Sequence, residues 1–277
     1  MPKELNKKLN PVQEIIEKSG NSFHSRVVNL LHTQNWTVLV SPFYSDNFTD
    51  KPREIDIIAE RKFDVKDDWG KWLGTVNVQL FIECKYIIND TIVFWFDAKD
   101  KERAAERAMK DTGVSPSERH IKLLEFHHFS DATVAKLFAS SKRPGEEYDV
   151  MNKAINQNLN ALVYYRNKHN LFPQDQNMRE RVLHTIPYPI IVCNSFDNFV
   201  RVDMADESNA PQPILEPFEL EVNYAYIDKD RNGHNEYFLL DVVSIDKLAE
   251  FLLGLEKTDI KTLIEKISWE KRTGSQW

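Results

Sequence analysis

The sequence predicts an α/β protein: a mixed central sheet flanked by helices, with a helical insertion at about 89–148 and a C-terminal α+β extension over 206–277. Three observations carry this. Apolar residues recur at helical spacing in Phe23, Val27, Leu30 and Leu31, and again in Met151, Ile155, Leu162 and Tyr165. Apolar runs of strand length surround Asp56 and Glu83 and fill 186–192, as buried strands do. Residues 218–222 and 236–243 answer one another across an Asp- and Asn-rich turn, the pattern of a hairpin. The 277 residues suffice for one large domain or one domain with an appendage, and 42% hydrophobic content is ordinary for a globular chain.

In chain order, Asn10-Pro11 places an N-cap before a proline at the first helical position. It opens a short helix through Val12, Ile15 and Ile16 that ends at Gly20. Ser22 begins a second helix, which stops near Asn35, and 36–40 reads as the first strand. A polar loop at 45–52 leads to a strand at 53–59, a polar excursion at 64–74 and a strand at 76–88. The insertion holds a short aromatic strand at 92–96 and helices at 99–110 and 132–140; such insertions often carry selectivity or a subunit contact. A core-packing helix spans 149–169, and strands at 186–192 and 198–204 pair around an Asp-Asn turn. The proline-rich 210–217 reads as a linker, dividing a core of 1–205 from an acidic hairpin-plus-helix extension of 206–277. Ser244 caps the closing helix, which runs through Leu248, Phe251 and Leu252. Whether this extension docks on the core or forms a lobe of its own is open at the level of sequence.

The chemistry concentrates in Glu83-Cys84-Lys85. A carboxylate and an ammonium one residue apart on a strand share a face, and within an apolar run that pairing is costly unless the site uses it. Upstream, Arg53-Glu54-Ile55-Asp56 embeds two further acids at period two. Strands side by side would bring Asp56, Glu83 and Lys85 together. Converging carboxylates without a full cage of ligands suit Mg²⁺, with Mn²⁺ as substitute, since that ion keeps waters for a substrate phosphate. The reaction this favours is phosphodiester hydrolysis, with Lys85 at the nucleophile or the developing charge. An acid-x-Lys by itself reads more readily as a half-buried structural pair, since such tripeptides are common by chance; the acidic strand and the helical flanks reverse the balance in favour of catalysis.

The order of helix, Asp56 strand, Glu83-Cys84-Lys85 strand, helix and strand resembles the PD-(D/E)XK nuclease superfamily, the restriction-endonuclease-like fold, over roughly residues 20 to 204. Asn21-Ser22-Phe23-His24, Asn35-Trp36-Thr37-Val38, Ser41-Pro42-Phe43-Tyr44 and Arg53-Glu54-Ile55-Asp56 are similar to the Mrr-like variant. Lys153-Ala154-Ile155-Asn156-Gln157, leading to Pro189-Ile190-Ile191-Val192-Cys193, is similar to the second core helix and fourth strand. The resemblance implies metal ligation by Asp56, Glu83 and the Cys84 carbonyl, catalysis by Lys85, and a place for Gln157 beside the site. The chain departs from the pattern in three ways: Ile55 stands where the motif's proline would be, His24 where many relatives carry a glutamate, and the gap between Asp56 and Glu83 is long for a simple hairpin, which points to an inserted β-excursion. Glu14, Glu17 and Glu54 are the candidate third acids.

The net charge of −7 is unevenly placed: 203–265 holds 15 acids against 5 bases, leaving the rest mildly basic. Lys99, Lys101, Arg103, Arg107 and Lys110, then Arg119, Lys122, Lys142 and Arg143, supply either a phosphate-contacting face or a solvated one. DNA is the expected substrate, with RNA as an alternative, and a homodimer or a regulatory protein contacting the acidic extension are the expected partners. A binding or assembly module with a decayed active site is the rival reading. No apolar run approaches a membrane span, and the start lacks a signal peptide's apolar stretch, so a cytoplasmic protein is expected. Cys84 and Cys193 fall in apolar strands as small hydrophobes. His127-His128 makes a weak metal motif, because adjacent side chains point apart on regular elements.

Overall fold

A computed structural model describes residues 21–88, 90–96, 126–127, 134–141, 150–166, 171–172, 181–203, 208, 210–228 and 230–273. The expected helices at 10–20 and 99–110, Glu14 and Glu17, and the basic residues between 99 and 122 and at 142–143 lie outside these.

The chain is α/β, with one large mixed sheet and few helices. Helix α1 (Asn21–Thr33) buries Phe23, Val27 and Leu31. Asn35 at φ 62° then turns the chain into β1 (Thr37–Val40), Asn being a residue that tolerates this left-handed conformation. A two-stranded ribbon, β2 (Phe43–Ser45) with β3 (Pro52–Glu54), precedes the long hairpin of β4 (Ile57–Lys66) and β5 (Trp72–Lys85). The remaining strands are β6 (Thr91–Phe96), β7 (Val134–Ser141), β8 (Val182–Cys193), β9 (Phe199–Asp203), β10 (Gln212–Pro213), β11 (Phe218–Ile227) and β12 (Gly233–Ser244). Ten strands form the main sheet in the order β1-β4-β5-β8-β12-β11-β7-β6-β9-β10. At its centre β5, β8 and β12 run parallel, with Glu83 opposite Ile191 and Asp241 opposite Ile190.

Helix α2 (Val150–Tyr165) covers one face, where Phe81, Ile191, Leu159 and Leu162 share a core. The other face lies under α1, α3 (Ile245–Leu255), a π-helical turn (Glu256–Ile260) and α4 (Lys261–Thr273). There Leu80, Ile82 and Tyr188 meet Leu31, Leu248, Leu252 and Leu263. Alternation along β5 therefore sends Phe81 toward α2 and Leu80 and Ile82 away from it. Inside the first core the Asn158 amide donates to the carbonyls of Phe81 and Ile190 at 2.7 and 2.9 Å, pinning α2 across β5 and β8.

Several expectations need correction. Residues 132–140 are not a helix: Val134–Ser141 is strand β7, held by β6 and β11. Its short apolar run suits either period, and pairing decides. Among the described residues of the insertion the regular elements are thus strands. The run 53–59 is not one strand. Backbone bonds from Ser41 to the Asp56 carbonyl and from Ile55 to that of Pro42 accompany a break between β3 and β4. Strands β8 and β9 do not pair with each other; they lie on opposite sides of the β12-β11-β7-β6 block. The proline-rich stretch contains β10, paired with β9. Ser244 stands at the N-cap of α3 without a capping side-chain hydrogen bond. The 64–74 stretch is not an insertion between the two strands: β4 and β5 are long enough to pair as a single hairpin, of which it forms the tip, and the 206–277 segment enters the middle of the sheet through β11 and β12.

Candidate active site

Asp56 sits at the bend before β4, and its carboxylate Oδ2 accepts the Cys84 backbone amide at 2.7 Å. That bond ties Asp56 to β5 beside Glu83. Glu83 is wholly buried, 0% exposed. Its Oε2 receives the Lys85 ammonium at 2.9 Å, while Oε1 has no hydrogen-bond partner among the described residues. Burial pushes the Glu83 carboxyl up to about 8; Lys85 opposes the rise and the negative charge of Asp56 adds to it. Cys84 contributes its backbone here. Its thiol packs toward the α1 and α3 side, and burial raises it well above the usual thiol range.

Lys85, its side chain 15% exposed, opens onto a cleft of about 540 Å³ lined also by Tyr44, Asp46, Arg53, Lys153 and Gln157. Burial works against the charge of Asp46, but hydrogen bonds from Thr49 and Phe48, with Arg53 beside it, hold its carboxyl below the usual range. Asp46 also accepts Arg53 at 3.3 Å and Asn160 at 3.0 Å, so it anchors the loop that presents Arg53. The Tyr44 hydroxyl donates to the Gln157 carbonyl at 3.1 Å, and burial raises this phenol, with Glu83 contributing.

The predicted residues divide accordingly. Asp56, Glu83, Cys84 and Lys85 are brought together. Gln157 lines the same cleft and donates to the Glu54 carbonyl at 3.3 Å. His24 reaches the backbone carbonyl of Asp56 at 3.1 Å, which joins α1 to the bend. Glu54 is exposed at the end of β3, so the period-two argument that set it beside Asp56 does not apply. Sequence reasoning gave no role to Tyr44, Asp46, Arg53 or Asn160. A signal existed in Asn156-Gln157-Asn158-Leu159-Asn160, where two of the amides, Asn158 and Asn160, sit at buried positions beside Leu159.

The donor set is oxygen from two carboxylates, one offering a buried oxygen with no partner among the described residues, which fits a hard divalent ion. A second group of candidate ligands lies elsewhere: His127, Glu219 and Asp241 present ligand atoms within 4.8 Å of one another. The weak histidine motif thus has one member in a carboxylate cluster, and His128 lies outside the described residues.

No family model, curated protein or solved structure matches the chain. Among the described residues, no helix is long and apolar enough to cross a membrane.

Proposed function

We propose that the chain is a metal-dependent nuclease that hydrolyses DNA phosphodiester bonds, built on the restriction-endonuclease-like plan of the PD-(D/E)XK superfamily. The observation that carries this reading is the joining of Asp56, Glu83 and Lys85, the last of which lines a cleft with Arg53 and Lys153. Asp56 and Glu83, with the Cys84 carbonyl, would hold Mg²⁺ or Mn²⁺. When bound, the ion supplies a polarised phosphoryl oxygen and a bound water of lowered pKa. Lys85 neutralises charge developing on the phosphoryl oxygens or orients the water. Arg53 and Lys153 contact flanking phosphates, and Gln157 positions the strand against the cleft wall. A dimer would cut both strands of a duplex, and a prokaryotic defence or DNA-processing role in the cytoplasm follows by analogy of fold.

The closed Glu83–Lys85 pair favours one variant of this reading, an enzyme or assembly module that needs a partner to open it. The test is cleavage of supercoiled plasmid, linear duplex, single-stranded DNA and RNA with Mg²⁺ or Mn²⁺, beside EDTA and Lys85→Ala. Cleavage that EDTA abolishes, and that Lys85→Ala lowers by about 10²-fold or more, is the expected result. Absence of both cleavage and calorimetric metal binding at Asp56 and Glu83 would favour the module.

A further inference from the structure

His127 lies on the far face of the sheet from Glu83, in the core beneath α3 and the π-helical turn, where its ring meets Tyr188 at 5.8 Å and Phe251 at 5.7 Å. Its Nδ1 is 2.5 Å from Asp259 Oδ2, and its backbone amide donates to Asp259 Oδ1 at 2.8 Å. Asp259 is fully buried and also accepts the Tyr188 hydroxyl at 2.9 Å and the Thr258 hydroxyl at 2.9 Å. The imidazole is therefore clamped through Nδ1, and Nε2 is turned toward Asp241 Oδ1 at 3.3 Å and Glu219 Oε1 at 3.8 Å. Glu219 and Asp241 are direct cross-strand partners in the β11–β12 hairpin and are almost wholly buried.

We propose that His127, Glu219 and Asp241 form a second cation site, distinct from the Asp56–Glu83 cluster, that takes a first-row divalent ion, Zn²⁺ or Mn²⁺. Three lines of argument converge on it. With Nδ1–H given to Asp259 and Nε2 unprotonated, Nε2 would face the carboxylates of Glu219 and Asp241 as a third acceptor, an arrangement that calls for a shared cation or proton between them. Asp241 Oδ1 faces His127 Nε2, and Oδ2 of the same carboxylate is buried with no hydrogen-bond partner among the described residues, so this carboxylate keeps ligand capacity. The spacing is also right. Metal bonds of about 2.0–2.2 Å in a tetrahedral site separate ligand atoms by roughly 3.4 Å, close to the 3.3 and 3.8 Å seen.

The Asp259–His127 pair then has the form of a metal-bound histidine oriented by an outer carboxylate, which fixes the tautomer and raises ligand basicity. One imidazole and two carboxylates favour Zn²⁺ or Mn²⁺ over Mg²⁺, and both free cysteines lie in β5 and β8, outside the ligand set. Such an ion would fasten the segment carrying His127 to the β11–β12 hairpin at the sheet centre.

The competing occupant is a proton. Burial lowers the His127 imidazole, but Asp259 and Asp241 outweigh it and raise it well above the usual histidine range. An imidazolium shared by the carboxylates would satisfy the same geometry without metal. The experiment uses the full chain carrying Glu83→Gln, so that the first site does not contribute, stripped with EDTA and titrated with ZnCl₂ or MnCl₂ by calorimetry. One bound equivalent, lost on adding Asp241→Asn and weakened roughly 10–100-fold by Asp259→Asn, is expected. Should Asp241→Asn fail to fold, Co²⁺ spectroscopy and ¹⁵N resonances of His127 in the parent chain decide. Visible absorption with a metal-shifted Nε2 supports the site. No bound ion, with both ring nitrogens protonated at pH 7, overturns it.

Discussion

Glu83 keeps a carboxyl where water does not reach, and the consequence is a proton. Its folded-state pKa of about 8 lies above the ordinary glutamate value. Between roughly pH 4.5 and 8 the metal-free native state therefore binds more protons than the unfolded chain, and stability falls as pH rises through that window. The expected outcome is a lower Tm in EDTA at pH 8.5 than at pH 5.5, with the Glu83 part of the difference removed by Glu83→Gln. Because a cation must displace the same proton, affinity for Mn²⁺ should increase with pH and level off above about 8. Calorimetry across that range checks the slope. A flat profile would mean that Glu83 takes no part in binding. This pH dependence was not legible in the sequence, which showed Glu83 and Lys85 on one strand face but not the depth at which the face is buried.

At the scale of elements, Asn158 does for α2 what its apolar neighbours cannot: it fixes both the height and the rotation of the helix over β5 and β8. Asn158→Leu would leave two carbonyls short of a donor, at a cost of about 1–3 kcal/mol. It should also lower cleavage more than Lys153→Ala does, because it displaces Gln157 and Lys153 together; urea denaturation and turnover measured side by side separate the two effects. Gly74, at φ 152°, marks the other tight point. A Cβ there would stand 2.5 Å from the Arg181 carbonyl and 2.6 Å from Leu183 Cγ. Gly74→Ala should destabilise by about 1–3 kcal/mol in urea unfolding, with little effect on metal binding at Asp56. Elements with long periodic patterns, α1, α2, β5 and the β11–β12 hairpin, were legible because local spacing and burial agree. Strand β7 was not, since its identity rests on β6 and β11, partners distant in sequence. Nor was the bend at Asp56, which depends on backbone bonds to Ser41 and Pro42.

For the molecule as a whole, the acidic C-terminal segment is less a surface feature than its composition suggests. Glu219, Glu221, Asp241 and Asp259 are all buried, so they contribute little to a charged face able to mimic nucleic acid or meet a partner. The same segment supplies β12 beside β8 and β11 beside β7, and thereby joins the half of the sheet that carries Asp56 and Glu83 to the half built from β6, β7, β9 and β10. A chain ending at 205 would expose the edge of β8 at 190–193. It would also strip Leu248, Leu252, Leu255, Ile260, Leu263 and Ile267 from the core beneath β5. At about 1.5–3 kcal/mol for each buried aliphatic side chain, the loss is of the order of the whole net stability of a typical domain, about 5–15 kcal/mol. Residues 1–205 should therefore show no cooperative thermal transition by circular dichroism and should aggregate through the open β8 edge, whereas the full chain melts as one unit. A cooperative melt of 1–205 with retained metal binding at Asp56 and Glu83 would instead make 206–277 an appendage on a core that folds by itself.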